Sequence, residues 1–530
     1  MASRPAYLVL IIALLAGCAS LPPSSDFPRT ASAAFAHPEE TRLGRQLETA
    51  IRANRGNSGF RIISVGVDGF LTRVQMANIA ERTLDLQYYI LRADETGKLL
   101  ADALLRAADR KVRIRVLIDD ADKVADDGQI VALDAHPNIE IRIFNPFAYR
   151  GDIKFFRSLE FLFSAARLDY RMHNKLFVVD NAIALVGGRN IGDQYFQIDP
   201  ASQFGDDDVF AAGPVVKELS ASFDDYWSSA LAIPARAFAD DGESDGALYA
   251  YRESLKGHRE KAKKDGIDYA SRIATGEPLA GMLSGRLPLV WAHAQVVWDS
   301  PDKRRSEKED KMLGLLMQRS VENAALAVRS ELLMVTPFFI PGLEGMNLLT
   351  DMRKRNVRVR VLTNSLEATP ELVAHSGYMH YRNALLESGV ELYEVRALLG
   401  NSRGSGQPLR MTRFGNYALH AKLFVFDRRR VFIGSMNFDQ RSMRLNTELG
   451  MIIDSPELAR QTATRFEFMV QPANSYALAL QPDGSGGAPR LVWRTQEDGR
   501  AVEYDTEPAR GDWQRIKAYF MSLLPLDKEL

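Results

Sequence analysis

The amino-acid sequence predicts an α/β protein of two similar halves, each a β-sheet flanked by helices, packed about a pseudo-twofold axis. Two observations carry this prediction: one motif occurs twice, and similar strand-like and helix-like segments precede both copies. The chain has 530 residues, of which 46% are hydrophobic and 25% charged, enough apolar material for more than one core. This composition excludes a disordered chain and a small disulfide-stapled scaffold.

The repeated motif has the pattern His-x-Lys-x4-Asp-x6-Gly-(Gly/Ser)-x-Asn, and its two copies align without a gap. Its polar residues are His173, Lys175, Asp180 and Asn190 in the first copy and His420, Lys422, Asp427 and Asn437 in the second. A chain with only eight histidines does not produce such a pattern twice by chance. The duplication therefore points to one unit that is present twice.

Each unit is predicted to run strand, helix, strand and then a hairpin that carries the motif. The corresponding segments are Leu84–Ile90 and Leu332–Ile340 as first strands, Lys98–Arg110 and Met346–Lys354 as helices, and Val112–Leu117 and Val357–Leu362 as second strands. Strands that alternate with helices are typical of α/β halves with a sheet between helices.

These segments divide the chain into a first domain over residues 46–235, a connector or insertion over 236–311 and a second domain over 312–475. We expect the strand Trp291–Trp298 within the connector to pack on one of the two cores. The C-terminal extension, 476–530, contains an apolar helical stripe from Trp513 to Leu524. We expect the stripe to dock on a core, and an interfacial membrane helix is the alternative.

The N-terminus has the pattern of an export signal. Residues 1–17 contain an apolar run, Ala6–Leu15, that is too short to span a bilayer and is typical of a secretory signal peptide. Leu15-Ala16-Gly17-Cys18 resembles the lipobox of bacterial lipoproteins, which implies lipidation of Cys18, with 18–45 as lipidated N-terminus and tether. We expect an exported, membrane-anchored lipoprotein on the periplasmic side, with the outer membrane favoured by Ala19. An ordinary signal peptide is the alternative.

The motif places an imidazole beside an ammonium group. If the motif segment is a strand, His173 and Lys175 point to the same face, as do His420 and Lys422. Two such strands facing each other across a cleft would bring two imidazoles and two cations to one phosphate. The set has neither the carboxylates that magnesium prefers nor the ligands of a zinc site, so we expect no metal and no cofactor.

The two imidazoles suit a double displacement at phosphorus, in which one attacks and the other protonates the leaving oxygen. We expect Asp206 and Glu448, each eight residues before a proline, to orient the imidazoles. Asp180 and Asp427 belong to the catalytic motif, but each ends its strand before a turn. For these two aspartates, a role in holding the backbone is favoured over a chemical one.

The paired motifs resemble the two HKD signatures of the phospholipase D superfamily, and the resemblance covers most of the chain beyond about residue 60. Within that superfamily, Arg171–Lys175, Gly187–Phe196 and Asn145-Pro146-Phe147 resemble the bacterial cardiolipin synthase C-like subgroup. The resemblance implies two phospholipase D-like halves and a phosphatidyltransferase that works without metal. It also implies phosphate binding by the motif lysines and by Asn190 and Asn437.

By the same resemblance, His173 is the nucleophile that forms a phosphohistidine intermediate, and His420 is the general acid and then base. The expected partners are a phospholipid membrane and anionic and zwitterionic phospholipid substrates, with an accessory protein left open. A phospholipase D hydrolase is the alternative enzyme. A nuclease-type phosphodiesterase is disfavoured by the net charge of −1 and the export signal. A non-catalytic surface lipoprotein is disfavoured because both motifs are intact.

Overall fold

The structure is a computed structural model that describes residues 29–121, 127–151, 153–199, 202–238, 244–264, 277–303, 316–399, 417–482 and 487–524. The predicted signal peptide and Cys18 lie outside the described residues.

The first half contains six α-helices and nine strands within this described part of the chain. The strands are β1 (Ser58–Ile63), β2 (Thr83–Tyr88), β3 (Arg113–Asp119), β4 (Ile139–Phe144), β5 (Leu176–Val179), β6 (Ile183–Gly187), β7 (Gln203–Gly205), β8 (Asp208–Ala212) and β9 (Ala232–Pro234). The helices are α1 (Arg42–Ala53), α2 (Gly66–Ile79), α3 (Glu95–Asp109), α4 (Asp127–Asp134), α5 (Lys154–Leu168) and α6 (Val215–Ser228). Short 3-10 turns lie at Pro38–Glu40, Asp193–Tyr195 and Ala235–Phe238.

Two helices and one strand lie in the described part of the segment between the two halves. These are α7 (Ser244–Lys264), α8 (Pro278–Leu283) and β10 (Val290–Trp298). The later strands are β11 (Glu331–Val335), β12 (Arg358–Asn364), β13 (Glu391–Val395), β14 (Tyr417–Leu419), β15 (Leu423–Phe426), β16 (Arg430–Gly434), β17 (Leu449–Asp454), β18 (Ser475–Gln481), β19 (Arg490–Glu497) and β20 (Arg500–Tyr504). The later helices are α9 (Leu316–Leu326), α10 (Gly342–Lys354), α11 (Leu372–Met379), α12 (Arg382–Glu387), α13 (Gln440–Arg444), α14 (Pro456–Met469) and α15 (Asp512–Ser522).

The main sheet has the same strand order in both halves. From the outer edge inward, the pairings of the first half run β9-β4-β3-β2-β5-β6-β8-β1. Those of the second half run β18-β13-β12-β11-β15-β16-β17-β10, and β19 and β20 extend the outer edge. Strands β1 and β10, which hold equivalent places, pair antiparallel and join the halves. The predicted α/β class with two similar halves is confirmed.

Strand β10 differs from the expectation that it packs on one core. Its first residues pair with β1, where Ala292 lies opposite Ser58, and its remainder pairs with β17, where Val296 lies opposite Met451. With nine residues, the strand is long enough to contact both halves. It is therefore the bridge between the two sheets.

The parallel strands of each half end where the motif begins. Strands β2, β3 and β4 are mutually parallel, and β5 runs antiparallel to β2. His173, just before β5, therefore stands at the carboxyl ends of the parallel strands. The same holds for His420, because β15 runs antiparallel to β11 in the parallel set of β11, β12 and β13. Loops that follow these strands surround both histidines.

The halves share a hydrophobic core. Leu176 and Val178 of β5 lie in the same buried cluster as Leu423 and Val425 of β15. Helices α6 and α14, which follow the inner strands of the two sheets, contribute Phe223 and other apolar side chains to that cluster. Burial of apolar surface from both halves in one cluster holds their motif strands in a fixed relation.

The C-terminal stripe does not dock on a core. In α15 the side chains of Trp513, Ile516, Phe520 and Leu523 are all exposed, and Ala518 is the buried residue of the helix. The polar side of the helix contacts the rest of the protein instead. The side chain of Gln514, for example, donates to the carbonyl of Leu366 at 2.7 Å. The expectation from the helical spacing was therefore wrong about which face packs.

Candidate active site

The backbone at the first motif is held by the second half of the chain. The N–H of His173 donates to the carbonyl of Thr447 at 2.9 Å, and the N–H of Thr447 donates to the carbonyl of Arg171 at 2.9 Å. Thr447 lies two residues before the start of β17 in the second half. The position of His173 therefore depends on contact between the halves.

The second motif is held by the first half in the corresponding way. Strand β14, which leads into His420, pairs in parallel with β7 of the first half. The N–H of His420 donates to the carbonyl of Gly205 at 2.8 Å. Each histidine thus stands on a short piece of backbone pairing that crosses from one half to the other.

The two predicted carboxylates reach the imidazoles, and each comes from the opposite half. Nδ1 of His173 lies 3.0 and 3.1 Å from the carboxylate oxygens of Glu448. Nδ1 of His420 lies 2.6 Å from Oδ2 of Asp206. When a carboxylate accepts a hydrogen bond from the Nδ1–H group, Nε2 carries no proton and can take up a proton or attack an electrophile. In both imidazoles Nε2 is therefore the nitrogen that no carboxylate engages.

Gly188 and Ser435 hold equivalent positions in the two motifs but contact the orienting carboxylates in different ways. A Cβ atom at Gly188 would lie 2.3 Å from Oδ1 of Asp206, so only glycine leaves room for that carboxylate. The hydroxyl of Ser435 instead donates to Glu448. The difference between Gly188 and Ser435 therefore follows from how closely each carboxylate approaches the loop.

The motif lysines are buried beside the histidines. Nζ of Lys175 donates to the backbone carbonyl of His173, and Nζ of Lys422 lies 3.0 Å from Nδ1 of His420. Only 1% of the surface of either lysine is exposed. These two buried ammonium groups, with the carboxylates of Glu448 and Asp206 as fixed negative charges near both, can together receive one anionic group.

Aromatic rings enclose the imidazoles, and the sequence analysis did not identify them. Tyr89 contacts His173 edge-on, with ring centroids 5.0 Å apart, and Nζ of Lys175 lies 5.2 Å from the Tyr89 ring. Tyr195 contacts His420 edge-on at 5.2 Å, and Phe204 stacks on His420 at the same distance. Tyr195 lies within the first motif's surroundings, but no sequence signal connects Phe204 to the second histidine.

The two motif asparagines have unequal surroundings. The side chain of Asn190 accepts from the N–H of Ile90 at 3.2 Å and donates to the hydroxyl of Tyr195 at 2.9 Å. Oδ1 of Asn437 is buried and accepts no hydrogen bond within the described part of the chain. The Asn190 amide thus uses both its oxygen and its nitrogen in hydrogen bonds within the protein, whereas the oxygen of Asn437 remains available to a ligand.

Asp180 and Asp427 do not join the imidazoles, which corrects their inclusion among the catalytic residues. The carboxylate of Asp180 accepts from the N–H groups of residues 81–83 at 2.8 to 2.9 Å. That of Asp427 accepts from the N–H and the hydroxyl of Ser330, at 2.8 and 2.6 Å. Each carboxylate lies at the far end of its strand, roughly 20 Å along the chain from the histidine at about 3.3 Å per residue. They anchor the start of β2 and of β11.

Burial lowers the pKa of both histidines. The pKa of His173 lies well below its ordinary value because of burial and the nearby Lys175 and Lys422. Burial, with Lys422, lowers the pKa of His420 to about 3, although Asp206 opposes the shift. Both imidazoles are therefore neutral in the substrate-free site at physiological pH.

Burial also shifts the pKa values of the other charged groups. It raises the pKa of Glu448 to about 7, against the opposing effect of Lys175. For Asp206, burial favours a higher pKa, but the interactions with His420 and Lys422 outweigh it and the pKa lies below its ordinary value. Burial lowers the pKa of Lys422 to about 8 and that of Lys175 well below its ordinary value.

A second set of buried charges supports the histidine loops, and the sequence analysis did not assign it. The carboxylate of Asp119 accepts from the N–H of Met172 at 2.7 Å and from Arg171 at 3.1 Å. Asp299 accepts from the N–H of Glu448 at 3.2 Å and from Lys303 at 2.9 Å. These groups position the backbone on either side of the first imidazole.

Within the described ranges, no group of three or more His, Cys, Asp or Glu side chains is arranged to hold a metal ion. Over the same ranges, no helix is long and apolar enough to cross a bilayer. The donors gathered around the histidines are amides and ammonium groups, which suit an anion.

Comparisons with known proteins agree with this geometry. Residues 74–227 and 323–470 match the family described as "Cardiolipin synthase, PLD-like domain". The chain is 36% identical over 478 residues to cardiolipin synthase C of Escherichia coli, covering 89% of this chain and 96% of that protein. It is 22% identical to cardiolipin synthase of Oceanobacillus iheyensis, covering 81% of this chain and 72% of that protein.

Among solved structures, phosphatidylserine synthase of Haemophilus influenzae Rd KW20 is similar to this chain with a TM-score of 0.53 at 13% identity. The similarity covers 82% of this chain and 92% of that one, and it supports the fold. The two matched family segments each contain one complete motif.

Proposed function

We propose, since the chain belongs to the phospholipase D superfamily, that it moves a phosphatidyl group onto a lipid hydroxyl such as that of phosphatidylglycerol, which would yield cardiolipin. The observation that carries the proposal is the pair of buried imidazoles, each oriented at Nδ1 by a carboxylate of the opposite half, at 3.0 and 2.6 Å. The two buried lysines supply charge for one phosphate between them.

The reaction would proceed in two displacements at phosphorus. Nε2 of His173 attacks the phosphorus, the bond from phosphorus to the leaving oxygen breaks, and His420, whose Nε2 takes up a proton when the anionic substrate binds, gives that proton to the oxygen. The acceptor hydroxyl then loses its proton to His420 and attacks the same phosphorus. The bond from phosphorus to His173 breaks, which returns the free imidazole.

The unequal carboxylates support this assignment of roles. Asp206 has a lowered pKa and remains ionised beside His420, where its charge stabilises an imidazolium. Glu448, with its pKa raised to about 7, supports a positive charge on His173 less strongly. The charge of an anionic phosphodiester would also offset the positive charges of Lys175 and Lys422, which lower the pKa of His420 in the free site.

The alternative reaction transfers the same intermediate to water and releases phosphatidic acid. The low exposure of both imidazoles, 7% each, favours transfer because a closed site limits the access of water. Lipidation of Cys18 and export to the periplasmic side, with the outer membrane as destination, belong to the same proposal. They rest on the lipobox-like sequence and would place the enzyme at its substrate.

The test is incubation of the detergent-solubilised chain with phosphatidylglycerol, with and without phosphatidylethanolamine, and identification of the products by mass. Cardiolipin is the expected product, and phosphatidic acid alone would assign hydrolysis. The His173→Ala variant is the control for contaminating enzymes. Mass analysis of the intact protein isolated from bacterial membranes would test acylation at Cys18.

A further inference from the structure

Helix α5 presents an unusual face to solvent. Phe155, Leu162 and Phe163 are 66%, 71% and 71% exposed, and Ile153 just before the helix is also exposed. The remaining exposed positions from 153 to 166 are Ser158, Phe161 and Ala166. Every exposed side chain that the structure describes in this stretch is therefore uncharged, whereas the outer face of a helix on a water-soluble protein is typically charged.

The charged side chains described on α5 point inward instead. Arg157 contacts Asp120, and Glu160 accepts from the N–H groups of Ala148 and Tyr149 at 2.8 Å each. Arg167 donates to the carbonyl of Pro146 at 2.7 Å. These contacts fix the orientation of the helix, so the apolar face cannot turn toward the core without breaking buried ion pairs.

The helix lies beside the reaction centre. It follows β4 at the carboxyl ends of the parallel strands, where both histidines stand. Asp169, the residue after α5, accepts from Arg441 of the second half at 2.6 Å. Arg441 is close enough to His173 to contribute to the lowering of its pKa. The C-terminal end of α5 therefore lies near the first imidazole.

The N-terminal segment enters the fold at the same place. Arg29 donates to the carbonyls of Ser229 and Ala230 at 2.8 and 2.9 Å. The adjacent Leu231 accepts from the N–H of Asn145, and the Asn145 side chain donates to the carbonyl of Arg167 in α5 at 2.8 Å. Arg29 is thus connected to the C-terminal end of α5 through residues 229–231 and Asn145.

The length of chain before Arg29 limits how far this end can stand from a bilayer. Ten residues lie between Cys18 and Arg29, and the eleven Cα-to-Cα steps extend over at most about 40 Å. If Cys18 carries the lipid, as proposed above, the α5 end of the molecule stays close to the membrane surface. We propose that the apolar face of α5 docks into the interfacial region of a phospholipid bilayer and holds the active site against its substrate.

This inference rests on the proposed function for its choice of occupant, so the experiment separates docking from turnover. The chain has a single cysteine, and a Cys18→Ser background therefore allows one label at Leu162→Cys. Tyr249→Cys is the matched control because Tyr249 is 70% exposed and lies on α7, where Arg252 pairs with Asp109 at the C-terminal end of α3, opposite the end of the sheet that carries the histidines. Each protein carries an environment-sensitive dye and meets vesicles of phosphatidylglycerol and phosphatidylethanolamine in equal amounts, with and without brominated acyl chains.

The dye at position 162 is expected to shift to the blue and to be quenched by brominated lipid, and the dye at 249 is expected to do neither. This result without turnover on any lipid would support docking and count against the proposed function. An unchanged dye at 162 would overturn docking. A shift that appears without vesicles and grows with protein concentration would also overturn it, because a second copy would then cover the face.

A second variant connects docking to catalysis. Phe155→Ser/Leu162→Ser/Phe163→Ser removes the apolar face and leaves the inward ion pairs in place. Turnover of vesicle-bound lipid is expected to fall by about ten-fold or more, with turnover in detergent micelles within about two-fold of wild type. Equal turnover of vesicles by variant and wild type would overturn the proposal while leaving the proposed reaction intact.

Discussion

His173 and Glu448 are 275 positions apart in the chain and belong to different halves, yet the imidazole Nδ1 lies 3.0 Å from the carboxylate. The reverse pairing holds between His420 and Asp206. Each half thus supplies one imidazole and the carboxylate that orients the other. The reaction centre is complete only when the halves are packed together, which explains why one buried cluster contains side chains from both.

Removal of the orienting carboxylate should slow the reaction without stopping it. We expect Glu448→Gln to lower kcat by about 10- to 100-fold, because the imidazole of His173 loses its charged partner and still retains Nε2. The measurement is steady-state turnover of phosphatidylglycerol. Glu457→Gln, at an exposed position on α14, is the control and should match wild type. A wild-type rate for Glu448→Gln would remove its orienting role.

Replacement of a reacting imidazole should be far more severe. His173→Ala and His420→Ala should each lower turnover by about four orders of magnitude or more. With a substrate whose leaving group needs no proton, His420→Ala should accumulate a covalent phosphatidyl-protein, which His173→Ala should not form. Mass spectrometry of the quenched protein locates the adduct. Full activity in either variant would contradict the mechanism, and loss of wild-type activity on addition of a chelator would indicate a metal.

The glycine of the first motif should not tolerate a side chain. Gly188→Ala would place Cβ 2.3 Å from Oδ1 of Asp206, so the carboxylate must move away from His420. We expect kcat to fall by about ten-fold or more. Ser435→Ala is the matched change in the second motif and should cost only a few-fold, because it removes one hydrogen bond to Glu448 and adds no clash. Equal effects would show that the close contact is unimportant.

Glu448 and Lys422 have pKa values near physiological pH and should therefore shape the pH profile. The carboxylate of Glu448 is ionised above its pKa of about 7, and the ammonium group of Lys422 is retained below its pKa of about 8. We therefore expect kcat/KM to rise through pH 7 and to fall above pH 8. In Glu448→Gln the rise near pH 7 should disappear. A profile that keeps this rise in the variant would assign it to another group.

Loss of a strand anchor should affect stability more than chemistry. Asp180→Ala leaves the N–H groups of residues 81–83, of which that of Thr83 is buried, without their acceptor, and we expect the free energy of unfolding to fall by about 1–3 kcal/mol. Asp427→Ala should cost less because its partners at residues 329–330 are more exposed. Thermal unfolding measures both, and kcat per folded molecule should stay close to wild type. A large drop in kcat with unchanged stability would restore Asp180 to the reaction centre.

Much of the reaction centre could be predicted from the sequence because its key residues lie close together along the chain. His173 and Lys175 are two residues apart on an extended segment, a spacing that places both on one face whatever surrounds the strand. The same pattern in the second copy identified His420 and Lys422. The duplicated order of strands and helices likewise predicted two equivalent sheets, which the pairing of β1 with β10 joins.

Other features depend on contacts between distant segments, and no local pattern encodes them. The exchange of Asp206 and Glu448 between halves arises because short backbone pairings place His173 beside Thr447 and His420 beside Gly205. The helical spacing in α15 predicted an apolar stripe, but its packing depends on which side chains of that helix meet the loop at Leu366.

The sequence by itself therefore determined which groups form the candidate reaction centre, because their chemistry and spacing are local properties. The tertiary structure decided which carboxylate serves which imidazole and which apolar faces remain exposed. It also decided how strongly burial shifts each pKa. Those properties arise when two halves exclude water from one shared site.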